Sequence, residues 1–269
     1  MRMKTMKLKQ YIVDAFTEQP FGGNPAAVCL LQEELPSAIM QKIAAENRLA
    51  ETAFLIPQNG GDYKIKWFTP RIEMDLCGHA TLAAAHVLWH HLEHRDKKIQ
   101  LYSNSGLLEI IRKDDQYILD FPARMPAQSD LPEIIQSSLN IQPIKVLKSR
   151  DFVLVYENQK QIEDLSPDEK ILDGINLDPG GIIVTAPGDN VDFVSRFFTP
   201  QDRTFEDPVT GSAHCSLIPY WSKELNKDRL KAEQLSQRQG MLFCTHLDDR
   251  VHIGGKAKTF AEATVFLEV

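Results

Sequence analysis

Asp75-Leu76-Cys77-Gly78-His79-Ala80-Thr81-Leu82-Ala83-Ala84-Ala85-His86-Val87-Leu88 reads as a tight glycine turn opening a helix. Ala80, Ala83, Ala84 and Ala85 leave that helix slim on nearly every side. A helix apolar all round is enclosed, and small residues let a surrounding sheet come close to its backbone. Gly78 lets the chain turn sharply and leaves the first helical amides uncovered. The helical pattern runs on from Gly78 to His94.

The same design recurs downstream in Glu206-Asp207-Pro208-Val209-Thr210-Gly211-Ser212-Ala213-His214. Trp67-Phe68-Thr69-Pro70, Gly78 and Trp89 are matched in order by Phe197-Phe198-Thr199-Pro200, Gly211 and Trp221. The offsets Phe68 to Phe198, Gly78 to Gly211 and Trp89 to Trp221 are 130, 133 and 132 residues. Three landmarks in one order at near-constant spacing indicate two similar halves, each of about 130 residues, related by a pseudo-twofold axis. Two prolines beyond a strand make Asp120-Phe121-Pro122-Ala123-Arg124-Met125-Pro126 the expected boundary. The halves are then 1–122 and 123–269, with the last strand free to cross back to the first.

Strand-like runs surround these helices. In the first half they are Tyr11–Phe16, Ala26–Leu31, Thr52–Ile56, Tyr63–Phe68, Leu107–Ile111 and Tyr117–Phe121, with turns at Asn59-Gly60-Gly61-Asp62 and Asp114-Asp115. In the second they are Phe152–Tyr156, Gly181–Thr185, Asp192–Phe197, Leu242–Thr245 and Val251–Gly254. A further helix spans Pro36 to Asn47, with Pro36 at a first-turn position. Short strands with few helices predict an α+β fold. Gly254-Gly255-Lys256 reads as a hairpin turn.

Bulk composition excludes several function classes. Of 269 residues, 43% are hydrophobic and 25% charged, as in ordinary globular proteins. Lys and Arg number 30 against 37 Asp and Glu, a net charge of −7, so no basic excess is left for nucleic acid. Four basic residues in Met1–Gln10 precede no apolar stretch, which argues against a secretory signal. No run has the length of a membrane span. Scattered cysteines (Cys29, Cys77, Cys215, Cys244) suit the reduced thiols of a cytoplasmic protein. Neither GxGxxG nor a Walker-type motif occurs, so no cofactor is expected.

If the halves face each other, their two glycine turns converge on one cleft, where free amides would bind a carboxylate. Taken singly, each turn could equally be an ordinary helix entry, with Ser212 as a cap. Four separate segments carry a family resemblance. Asp14-Ala15-Phe16 with Phe21-Gly22-Gly23-Asn24-Pro25-Ala26-Ala27-Val28, Ala50-Glu51-Thr52-Ala53-Phe54, Cys77-Gly78-His79-Ala80-Thr81 and Asp207-Pro208-Val209-Thr210-Gly211-Ser212-Ala213 stand in order. Together they resemble the phenazine-biosynthesis-protein F (PhzF-like) family, which shares the diaminopimelate epimerase fold. The resemblance covers Tyr11 to Gly254-Gly255-Lys256-Ala257.

That resemblance implies two domains, each a β-barrel-like sheet curled around a central helix. It implies a cofactor-independent isomerase in which Glu51 moves a proton on a small carboxylate-bearing substrate. His79 and Asp207 carry over as its polar partners; Gly78, Gly211, Ser212 and Asn24 carry over as substrate-binding residues. A homodimer is common in the family. Where the family often reads Asn-Leu-Ser-Glu-Thr, this chain has Arg48-Leu49-Ala50-Glu51-Thr52, which keeps the glutamate and changes its surroundings.

The residues alone make this chemistry sensible. Glu51 between Leu49-Ala50 and Ala53-Phe54-Leu55 has apolar neighbours that disfavour a carboxylate. An acid so tuned can take and return a proton near neutrality. Without the resemblance, a solvated glutamate opening a strand is the commoner case.

Rival readings remain open. A two-thiol racemase or epimerase needs a cysteine at each turn; Cys77 precedes Gly78, but Thr210 precedes Gly211 and Cys215 lies within the helix. A metal centre could use His86, His90 and His94, spaced four apart, yet no HExxH or matching ligand cluster accompanies them, so no metal is expected. A non-catalytic small-acid binder of the same fold is the third, although binding alone would not require Glu51.

Overall fold

The computed structural model describes residues 5–58, 62–177, 180–201 and 204–268. The Asn59-Gly60-Gly61 part of the expected turn lies outside them. The chain forms two compact units, Met1–Asp120 with Gly255–Val269, and Phe121–Gly254. The expected division ran 1–122 and 123–269; in the structure the chain passes over between Asp120 and Phe121, and residues 255–269 lie with the first unit.

The first unit carries β1 (Thr5–Ala15), β2 (Asn24–Leu30), α1 (Ser37–Asn47), β3 (Glu51–Pro57), β4 (Tyr63–Phe68), β5 (Glu73–Met74), α2 (Gly78–His90), β6 (Lys98–Ser103), β7 (Gly106–Lys113) and β8 (Gln116–Pro122). The second carries β9 (Ala127–Gln128), α3 (Glu133–Ser138), β10 (Lys145–Lys148), β11 (Phe152–Val155), α4 (Gln159–Asp164), α5 (Glu169–Leu172), β12 (Ile182–Pro187), β13 (Phe193–Phe198), α6 (Gly211–Leu225), β14 (Arg229–Gln234), β15 (Gly240–Leu247) and β16 (Arg250–Gly255). β17 (Ala257–Glu268) then runs antiparallel along β1 from Ala15 to Thr5. Gly254-Gly255-Lys256 therefore leads the chain into β17 rather than closing a hairpin.

Strand pairing repeats between units. β1 and β10 run antiparallel to β2 and β11, which run parallel to β3 and β12. These pair antiparallel with β4 and β13, which run parallel to β6 and β14. Phe68 pairs with Glu73 in one unit and Phe198 with Glu206 in the other, so the aromatic-Thr-Pro landmarks occupy one structural place. The fold is α+β, mostly sheet with few helices.

α2 is buried at every residue from His79 to Trp89 and packs on β1, β2, β3 and β17. Its alanines make that enclosure possible, since a bulkier face would hold the strands off. The helix stops at His90, where His91 N–H donates to the Val87 carbonyl, so His94 lies beyond it. The expected continuation to His94 fails because Glu93 takes a left-handed φ of 52°. Pro36 is the N-cap of α1 rather than a first-turn residue. In the second unit α6 packs on β14 and β15, and Phe193 stacks on Trp221 with centroids 5.7 Å apart.

Candidate active site

Glu51 is the first residue of β3, and several contacts fix the approach to it. α1 ends at Arg48, whose φ of 54° turns the chain back toward the sheet. The Asn47 amide donates to Thr52 Oγ1 at 3.0 Å and to Gln10 Oε1 at 3.1 Å, which ties the turn to β1 and β3. In the β2–β3 register Glu51 stands opposite Ala26. β2 itself begins at Asn24 behind Gly23, which has φ +60°. A Cβ on Gly23 would lie 2.0 Å from the Ala15 carbonyl oxygen, so glycine is demanded there twice over.

α2 then delivers His79 between these groups. Its Nε2 stands 3.0 Å from Glu51 Oε2; its Nδ1 lies 3.3 Å from the Asn24 amide nitrogen and 3.6 Å from Cys77 Sγ. His79 is 6% exposed and the Glu51 side chain 15%. Burial opposes the His79 imidazolium, but the partners Cys77 and Glu51 more than reverse this and hold it well above its usual range. Burial and the Glu51 charge in turn push the Cys77 thiol up.

Glu51, Cys77 and His79 offer oxygen, sulfur and nitrogen within 4.8 Å of one another, donor types that zinc accepts. The imidazole, however, sits with Nδ1 toward the thiol and Nε2 toward the carboxylate. Flanked on opposite nitrogens, the ring suits passing charge between its neighbours better than sharing one ion with both. On the His86, His90 and His94 face, His86 and His94 are engaged elsewhere. His86 Nδ1 meets Tyr117 Oη at 2.9 Å, its Nε2 meets Thr259 Oγ1 at 2.9 Å, and His94 Nε2 lies 3.3 Å from the Lys98 carbonyl. With both nitrogens occupied, His86 has no lone pair to give a metal.

In the second unit the Asp207–Thr210 turn precedes α6. Gly211 is the first helical residue and Thr210 the N-cap, so Ser212 lies within the helix and is not its cap. The Thr210 hydroxyl donates to Asp207 Oδ2, and Gln234 bonds both ends of the turn. Sequence reasoning missed Gln234, which is 1% exposed and comes from β14 with no motif around it.

The repeat is chemically unequal. Thr52 faces Phe68 and Ile182 faces Phe198, so Gly181 occupies the place of Glu51. A Cβ at Gly181 would lie 2.5 Å from the Phe197 ring, which leaves no space for a second acid. Likewise Thr210 stands where the first unit has Cys77, and Ser212 where it has His79.

Comparison with known proteins gives one consistent family. A family model described as phenazine biosynthesis-like protein matches residues 13–263. The chain is 45% identical over 262 residues to an uncharacterized isomerase of Pseudomonas aeruginosa, covering 97% of this chain and 100% of that one. It is 44% identical over 263 residues to an uncharacterized isomerase of Halalkalibacterium halodurans, covering 96% and 98%. A crystal structure of a phenazine biosynthesis protein of the PhzF family from Enterococcus faecalis superposes with a TM-score of 0.93 at 45% identity, covering 97% of this chain and all of that one.

Proposed function

Because this chain belongs to the phenazine biosynthesis-like protein family, we propose that it is an isomerase that moves a proton on a small carboxylate-bearing substrate. Glu51 is the general acid/base, with His79 beside it. The observation that carries this reading is the 3.0 Å approach of His79 Nε2 to Glu51 Oε2, in a place that the repeat leaves without an acid in the other unit. A carboxylate that takes a proton from carbon needs a nearby group to answer its change of charge. The His79 Nε2 side of the ring stabilises the carboxylate before transfer and yields as the carboxylic acid forms.

Negative charge built beside the substrate carboxylate falls to donors fixed in advance. Such donors are offered by the first amides of α2 and, separately, by those of α6, since neither Cys77 nor Thr210 makes a side-chain cap bond among the described residues. Gly78, Gly211 and Ser212 hold the substrate anion, Asp207 acts as a second polar partner, and Asn24 takes part in binding. One acid that removes and returns a proton gives an isomerisation and calls for no cofactor. The same reading makes the enzyme cytoplasmic and homodimeric. Four free, buried cysteines agree with a reducing compartment, and no helix among the described residues is long and apolar enough to cross a membrane.

The test is solvent exchange. Amino and hydroxy acids are incubated with the protein in D₂O and read by NMR for deuterium on carbon. Uptake beside a carboxylate is the expected result. A protein that binds such acids and labels none of them is a binder, and the reading fails.

A further inference from the structure

We propose that Gln234 is a positioning residue that commits the Thr210 hydroxyl to Asp207 and so keeps Thr210 from capping α6. This rests on the reading of Asp207 and the Gly211 turn as site residues. The polarity of the Gln234 amide follows from backbone partners that have a single role each. Thr210 N–H donates to Gln234 Oε1 at 2.9 Å, so the other end of the amide is nitrogen. That nitrogen donates to the Asp207 carbonyl at 2.8 Å, which can only accept. Its second proton reaches Thr210 Oγ1 at 3.2 Å. The hydroxyl oxygen therefore accepts from Gln234, and its one proton goes to Asp207 Oδ2.

The consequence appears at the helix. Threonine at an N-cap ordinarily accepts from the second or third helical amide. Thr210 sits at that position and makes no such bond among the described residues. Neighbouring contacts hold the turn without touching the hydroxyl: Ser236 Oγ donates to the Pro208 carbonyl at 2.8 Å, and Asp207 N–H to the Phe197 carbonyl at 3.0 Å. In the β13–β14 register Gln234 faces Ser195. Continuing the β4–β6 register beyond Lys64–Tyr102 puts Ser103 in the corresponding place of the first unit. Ser103 donates to the Gly106 carbonyl within its own turn at 2.9 Å. The amide lock is thus a property of the second unit, where threonine replaces the cysteine.

Two NMR measurements on the full-length protein test this. In Thr210→Val, one of the two Gln234 carboxamide protons should shift while the one bound to the Asp207 carbonyl stays. In Gln234→Leu, the freed hydroxyl should cap α6. Hydrogen exchange should then slow by roughly tenfold at Ser212 or Ala213, while the Thr210 amide exchanges faster. A merely structural role would speed all of them together, and that result overturns the proposal. Two unmoved carboxamide protons in Thr210→Val overturn it as well, even where Gln234→Leu does not fold. Neither readout involves turnover. Failure of the Glu51 reading would leave both standing, and failure of the lock would leave Glu51 chemistry untouched.

Discussion

At the scale of single residues, the site's character comes from His79 standing between a thiol and a carboxylate. Cys77 touches His79 Nδ1 at 3.6 Å, which puts the thiol beside the Glu51–His79 pair. A thiol mechanism still needs a second cysteine. Its place is taken by Thr210, and Cys215 is turned toward the Gly211 carbonyl inside α6. Cys77→Ser is accordingly expected to keep isomerase activity within about tenfold, because serine preserves a small polar neighbour for His79. A loss of several orders of magnitude in kcat with the fold intact would restore the thiol as a catalytic group. The apolar flanks of Glu51 were legible in the sequence; the histidine opposite it was legible only through family resemblance, since 28 residues separate them in the chain.

At the scale of elements, the loop from β1 to β2 carries a concentrated demand on backbone geometry. Phe16 and Phe21 have positive φ, the Phe21 amide donates to Asp14 Oδ2 at 2.9 Å, and Gly23 leads directly into Asn24. In Gly23→Ala the new methyl meets the Ala15 carbonyl oxygen in a left-handed conformation. A cost of about 3 kcal/mol or more is expected, combining the strained φ with overpacking. Urea unfolding measures it, and a change below about 1 kcal/mol would show that the loop relaxes around the methyl. Strand positions were legible where Val, Ile and Phe cluster, as in β3, β4 and β11. β17 was not, because alanines and charged residues dilute its pattern; its twelve residues are held by pairing with β1, a partner more than two hundred residues away. α4 and α5 escaped for a related reason, being too short to show a helical period.

At the scale of the whole molecule, each unit buries one neutral histidine inside its central helix. Burial first, then the charges of His90, His91, Lys258 and Arg112, push His86 down to about 3. Burial lowers His214 to about 4, against a smaller opposing bond to the Thr210 carbonyl. A base whose folded pKa lies below its unfolded value leaves the unfolded chain binding more protons, so stability falls as pH drops from about 6.5 toward these values. His79 has the opposite sign: its contribution is full below about 6.5 and is lost as pH rises through its raised folded value. Between pH 7 and 4.5, His86→Gln should lose less stability than the wild type, by on the order of 2 kcal/mol, since glutamine keeps polar contacts to Tyr117 and Thr259 without a titrating ring. Parallel pH profiles of variant and wild type would contradict this.

The central claim is that Glu51 moves the proton while other groups hold the substrate, and Glu51→Gln tests it most directly. Glutamine keeps the shape and a carbonyl acceptor but takes up no proton near neutrality. Wild type and variant are incubated in D₂O with a small carboxylic acid that the wild type labels, and the same acid is titrated calorimetrically into both. Exchange should fall by about 10²–10⁴ or more, with the fold intact and binding retained or tightened, because the carboxylate of the ligand is held by amides and a repelling charge is gone. Unchanged exchange in the variant would move the proton transfer to another residue, and joint loss of exchange and binding would make Glu51 a ligand-holding group; either result contradicts the account.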